Sequence, residues 1–175
     1  MARLFFALWP DAATRRALAA AAAQVDVRDA RRMRVENLHL TVAFLGEVTP
    51  LAFEALAALP PAPDVRAFTL DIGLAGWWRG SRVAWLAPLA VPAALGALHD
   101  AVNATAQGAG IVPDQRPYRP HVTIARAARR APRAAAAFEV HWQVTDFALV
   151  ESIAEAAGPC YRVRRHWPLA APARD

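Results

Sequence analysis

An α+β fold is predicted for this 175-residue chain, on three observations. Strand-like and helix-like segments follow one another without the strict alternation of a doubly wound parallel sheet. Hydrophobic residues make up 56% and charged residues 20%, which supplies apolar surface for a core and excludes a disordered chain. No Gly- or Ser-rich linker divides the chain, so residues 1–175 read as one domain, with two halves that can form its lobes.

Each element follows from its residues. Arg3 to Trp9 (RLFFALW) is aromatic and apolar and reads as a buried strand. Pro10-Asp11 opens an Ala-rich helix to about Gln24, with the Asp11 carboxylate as N-cap. The pair Arg15-Arg16 before Ala17–Ala23 has the look of a signal peptide, but an alanine run is weakly hydrophobic, and a helix is expected. A polar connector carries Arg28, Arg31, Arg32 and Arg34. Leu38 to Leu45 reads as a strand ended by Gly46, and Pro50 to Leu59 as a short helix stopped by Pro60-Pro61. Ala67–Leu74 and Arg82–Leu86 read as strands around a loop, Ala75–Ser81, that holds Trp77, Trp78 and Arg79. Pro92 to Gln107 is a helix with Gly108 and Gly110 as stop signals. His121–Arg126 is a strand, Ala127–Ala137 a surface connector, and Gln143–Glu151 and Tyr161–Trp167 the last two strands.

The composition narrows the function. All 20 basic residues are arginine, and 44 residues are alanine, biases that a GC-rich genome would also produce. The net charge of +5 favours phosphate, nucleic acid or another anionic partner. The single cysteine, Cys160, excludes an internal disulfide and a Cys-rich zinc site, and fits a cytoplasmic protein. No apolar run reaches the ~20 residues of a membrane helix. Phosphate-loop, dinucleotide-binding, nucleophile-elbow and zinc-protease motifs are absent, and no carboxylate pair stands out. The five histidines, His39, His99, His121, His141 and His166, lack local metal-ligand spacing, so neither a metal nor another cofactor is expected.

One short repeat carries the chemistry. Leu38-His39-Leu40-Thr41-Val42-Ala43 recurs 82 residues later as Pro120-His121-Val122-Thr123-Ile124-Ala125. The strand period of two puts His39 and Thr41 on one face, with Leu40 and Val42 on the other. His121 and Thr123 share a face in the same way. If the two strands are neighbours, one cleft receives two imidazoles and two hydroxyls. Histidine titrates near pH 6.5, so one ring can take a proton from water while the other gives one to a leaving oxygen. Threonine hydroxyls can donate to the non-bridging oxygens of a phosphate. A lone strand histidine is usually structural; two copies of one pattern, each in a strand, favour the functional reading.

The flanks extend the pattern. In order, RLFFALWP, NLHLTVAFLGEV, SRVAWL and RPYRPHVTIAR resemble the bacterial and archaeal RNA 2′,3′-cyclic phosphodiesterases, first described as 2′-5′ RNA ligases, of the 2H phosphoesterase superfamily. The resemblance runs from Arg3 to Trp167. It implies two pseudo-twofold-related lobes, with antiparallel sheets lining a central cleft and helices outside. It also implies metal-independent hydrolysis of RNA 2′,3′-cyclic phosphate ends to 2′-phosphomonoesters, and possible reversible ligation. By the same resemblance His39 is the proton donor, His121 the proton acceptor, and Thr41, Thr123 and Arg126 phosphate ligands. Arg126 lies five residues after His121, so strict alternation places it on the opposite face; it reaches the cleft only if the strand ends or bulges near Ala125.

Further substrate contacts are expected from Tyr118, Trp78 and Arg79, which could stack on or cap a base, with core packing the other reading of Tyr118. Phe44 reads as core, and His99, His141 and His166 as structural or surface residues. Arg116 and Arg119 flank the second motif, and Arg129–Arg133 read as a solvated connector. The expected partners are RNA or short oligonucleotide ends, with no membrane and no obligate protein partner. Two alternatives stay open: a non-catalytic RNA-binding protein on the same fold, and a phosphodiesterase for small cyclic nucleotides.

Overall fold

The computed structural model describes residues 1–58, 64–134, 137–156 and 158–171. The expected strand–helix order is present. Strand β1 is Ala2–Leu8 and helix α1 is Ala12–Ala23. The Asp11 carboxylate accepts from the Thr14 amide at 2.7 Å, capping one orphan N–H of the first turn. Strand β4 is Leu40–Val48, helix α2 Pro50–Ala58, strand β5 Phe68–Trp78, strand β6 Val83–Pro88, helix α3 Ala93–Gly108 and strand β7 Val122–Arg126. Strands β9 (Val140–Val144), β10 (Asp146–Glu155) and β11 (Gly158–Pro168) complete the sheet. The helix stop expected at Pro60-Pro61 lies outside the described residues.

Several boundaries differ from the sequence reading, each for a pairing reason. The Arg-rich connector contains two short strands, β2 (Val25–Asp26) and β3 (Arg31–Arg32), and a 3₁₀ turn, Val35–Asn37. β2 pairs with a two-residue strand β8 (Arg133–Ala134) in the second connector, and β3 pairs with β7. Gly46 does not end its strand. It adopts a left-handed φ of 68°, where glycine has no side-chain penalty, and pairing resumes through Glu47 and Val48. The segment Ala75–Trp78 is strand rather than loop, because it pairs with Val83–Leu86. Gly76 is required there, since a Cβ would enter the Trp85 ring.

The sheet is antiparallel, in the order β11-β10-β1-β4-β7-β6-β5-β9, with β3 beside β7. Its two four-stranded halves meet at Leu40↔Val122, so the His-x-Thr strands β4 and β7 form the centre. Only Thr145 separates β9 from β10, yet these strands lie six places apart in the order. Val144 and Asp146 can be no more than ~7 Å apart along the chain. The sheet therefore curls until its two ends approach. Beyond β11, Ala170 accepts from the Ala67 amide and donates to the Val65 carbonyl, tying the chain end to the start of β5.

One face of the sheet carries the main core, including Leu4, Phe6, Leu40, Leu70, Leu86, Val122 and Phe147. A smaller cluster on the other face, Phe5, Ala7, Ala148 and Val150, packs against Trp9, Tyr161 and Val163. Helix α3 packs on β4 and α1 on β9, so each long helix crosses to the half of the sheet it did not come from.

Candidate active site

The two repeat copies are built alike. Each histidine ring is tethered to the backbone two residues earlier. His39 Nδ1 lies 2.7 Å from the Asn37 carbonyl, and His121 Nδ1 lies 2.8 Å from the Arg119 carbonyl. A carbonyl only accepts, so each Nδ1 carries the hydrogen, and in the neutral ring Nε2 is left with its lone pair. Asn37 is itself buried, and its amide donates to the Pro159 carbonyl at 2.8 Å. Nothing in the local pattern pointed to Asn37, whose partner lies 122 residues away.

Each strand then bulges at the same place. Trp85 pairs with Thr123 and Ala84 with Ala125, so Ile124 is an extra residue on β7. Ala7 pairs with Thr41 and Phe6 with Ala43, so Val42 is an extra residue on β4. A bulge resets the alternation of the residues after it. Arg126 thereby turns to the His121–Thr123 face and lines the cleft. Its guanidinium makes no hydrogen bond or ion pair with another side chain among the described residues. Phe44 is the counterpart of Arg126 in the first copy. The same shift sends it out of the core, contrary to expectation: it is 48% exposed and lines the cleft.

His39, Thr41, His121, Thr123 and Arg126 converge on a cleft of about 550 Å³, a size suited to a small ligand or a terminal nucleotide. Of the three further residues expected to touch substrate, Trp78 reaches the cleft, its ring edge-on to His121 at 4.4 Å. Trp77, on the opposite face of β5, packs on the core and donates to the Ala128 carbonyl. Tyr118 also lines the cleft, but one face of its ring is covered by His99 at 4.0 Å, and its hydroxyl donates to the Thr41 carbonyl at 3.3 Å. Burial pushes that phenol well above its ordinary pKa. Arg79 is a correction. It follows the end of β5 as an exposed turn residue and is not among the residues that line the cleft. On the cleft rim Arg116 pairs with Asp114, and that hydrogen-bonded pairing draws the carboxyl down to about 2. His141 pairs with Asp71, and His166 with Asp146, on exposed surface.

The two imidazoles sit in unlike surroundings. His39 is 9% exposed. It stacks on Trp9 at 5.6 Å, contacts Phe5 at 4.9 Å and meets the edge of Tyr161 at 5.1 Å. Its Nε2 accepts from the Thr41 hydroxyl at 3.1 Å. Burial lowers its pKa to about 4, with the charges of His121, Arg126 and Arg15 adding to the effect and the bond to Asn37 opposing it. His121 is half-buried, and its pKa is lowered first by burial and then by Arg126. Both rings are therefore neutral in the free protein near pH 7.

This burial has a consequence for stability. The unfolded chain protonates His39 near pH 6.5, the folded protein only near 4. Protonation thus favours the unfolded state. The stability is fully present above pH 6.5 and declines as the pH falls, by about 3 kcal/mol at pH 4. Urea midpoints at pH 7 and pH 4 should show this loss, and a His39→Gln variant should lack that part of it.

Comparison with known proteins agrees with this geometry. Residues 9–155 match the 2′-5′ RNA ligase superfamily. The chain is 34% identical over 140 residues to an RNA 2′,3′-cyclic phosphodiesterase of Escherichia coli K12, covering 79% of this chain and 80% of the relative. Among solved structures it is similar to E. coli LigT complexed with NADP⁺, at 32% identity and a TM-score of 0.85, covering 97% of this chain and 98% of the other. It is also similar to a crystal structure of a phosphoesterase, at 32% identity and a TM-score of 0.87, covering 97% and 98%.

Proposed function

Because the chain belongs to the 2′-5′ RNA ligase superfamily, we propose that it opens 2′,3′-cyclic phosphate ends of RNA or short oligonucleotides to 2′-phosphomonoesters. The observation that carries this reading is the convergence of both His-x-Thr copies and Arg126 on one cleft. In the proposed reaction, water attacks phosphorus, His121 takes the water proton through Nε2, and the bond to the 3′-oxygen breaks. His39 delivers a proton from Nε2 to that oxygen. The 2′-ester bond survives, leaving a 2′-phosphate and a free 3′-hydroxyl. Thr41 turns its hydroxyl from the His39 ring to the phosphate, and Thr123 and Arg126 hold the remaining non-bridging oxygens, where negative charge grows. Phe44 and Trp78 both line the cleft and offer aromatic surface for a base. E. coli LigT is complexed with NADP⁺, a nucleotide that itself carries a 2′-phosphomonoester.

An acid, a base and a fixed cation are all supplied by side chains, so the reaction as proposed needs no metal. The same groups serve the reverse direction, 2′-5′ ligation. The donor role of His39 requires a proton that the free protein does not hold at pH 7. A bound phosphate anion supplies the countercharge that raises the imidazole pKa. Two pH profiles follow. kcat/KM, which reports the free protein, should peak below about pH 6.5, because both rings titrate below the usual histidine value. The alkaline limb of kcat, which reports the complex, should lie at higher pH. A kcat/KM plateau across pH 7 to 9 would contradict the two-histidine scheme.

The deciding experiment is end-group analysis of a short RNA with a 2′,3′-cyclic phosphate, incubated with the protein in EDTA. A 2′-phosphate product supports the reading. Bound but unopened RNA replaces it with a binding role, and opening of mononucleotides alone replaces the substrate with a small cyclic nucleotide.

A further inference from the structure

The bulge on β4 has a support that the proposed reaction does not use. Its extra residue, Val42, decides which later side chains face the cleft. Without it Ala43 and Phe44 would exchange faces, as in a one-residue slip of register. β4 and β7 pair only at Leu40↔Val122, so β7 does not clamp this stretch. Two side chains reach the carbonyls there instead. His99 Nδ1 lies 2.8 Å from the Val42 carbonyl, and the Tyr118 hydroxyl donates to the Thr41 carbonyl at 3.3 Å. The two rings stack at 4.0 Å with their planes 6° apart. The Asn103 amide nitrogen, one turn along α3, lies against the His99 ring, 3.4 Å from Nδ1 and 3.1 Å from Nε2.

The second copy shows what the contact is for. There the bulge residue is Ile124, and its carbonyl accepts from the backbone amide of Met33 at 2.9 Å. Each bulge carbonyl is thus held by one donor, at β7 the rung that continues the pairing with β3. At β7 that donor is main chain. At β4 it is a side chain from a helix 57 residues away in sequence.

We infer that His99 is a positioning residue: its Nδ1–H holds the Val42 carbonyl and so fixes the β4 bulge that aims the Thr41 hydroxyl and Phe44 at the substrate. A carbonyl cannot donate, so Nδ1 must carry the hydrogen. His99 also lines the cleft, and its Nδ1 is turned to the Val42 carbonyl.

The kinetic part of this inference rests on the phosphodiesterase reading. Two variants separate ring from donor. His99→Phe keeps a ring against Tyr118 and loses the N–H. His99→Asn loses the ring and keeps an amide N–H near the position of Nδ1. With a 2′,3′-cyclic phosphate substrate, His99→Phe should lower kcat by about tenfold with KM nearly unchanged, because the hydroxyl is misplaced rather than removed. His99→Asn should recover most of that loss. Unchanged kcat in the Phe variant, or equal losses in both variants, would overturn the inference, as would loss of thermal stability that tracks kcat across both. Nitrogen-15 NMR of the histidines in the unmodified protein gives an activity-free readout, with a slowly exchanging His99 Nδ1–H expected and an Nε2–H tautomer overturning it. If the unmodified protein opens no cyclic phosphate, the functional reading fails and this NMR result decides the His99 contact by itself.

Discussion

Replacing His121 or His39 with alanine is expected to lower kcat on a 2′,3′-cyclic phosphate by about 10²- to 10⁴-fold, the range for loss of a positioned acid or base. The two losses should not add. Acid and base act in one transition state, so the double variant should be nearly as active as the worse single one. His121 is half-buried and its replacement should leave folding intact. His39 fills a buried space among Phe5, Trp9 and Tyr161, so His39→Gln is the better control for volume. Single-turnover assays, with folding checked by circular dichroism, test this. Activity near that of the unmodified protein in either variant would remove that histidine from the mechanism.

Arg126→Ala should cost about 10²- to 10³-fold, as expected when a preorganised donor to a developing anion is lost. Arg126→Lys should recover only part of it, because an ammonium cannot reproduce the fork of a guanidinium. A second readout separates this role from simple packing. The Arg126 charge lowers the pKa of both His39 and His121. Its removal should therefore move the kcat/KM optimum to higher pH, whereas a surface arginine of no consequence would leave the profile in place.

Much of the site was legible because alternation along a strand is a local property. His39 with Thr41, and His121 with Thr123, had to share faces once their segments were strands, and their apolar partners Leu40 and Val122 had to enter the core. The Asp11 cap and the three principal helices were legible for the same reason. Arg126 marks the boundary of that logic. Its spacing alone pointed it away from the cleft unless the strand ended or bulged near Ala125, and the second of these conditions is met at Ile124. Phe44 was misread because the matching bulge at Val42 depends on how β4 pairs with β1. Trp77 and Trp78 were read as loop because strand length is set by the partner strand β6, and Arg79 stands in the turn beyond.

The sequence by itself determined the α+β class, the two histidine–threonine pairs and the identity of the groups available for acid–base chemistry, since these depend on residue type and on a period of two. The tertiary structure alone decided that β4 and β7 are neighbours at the centre of the sheet. It also decided that Arg126 faces inward, that Phe44 faces the cleft, and that His39 lies deep enough to titrate near pH 4. Register, bulge position and burial are properties of pairs of segments far apart in the chain. The His99 contact with Val42 and the Asn37 contact with Pro159 span 57 and 122 residues, and no local pattern carries them.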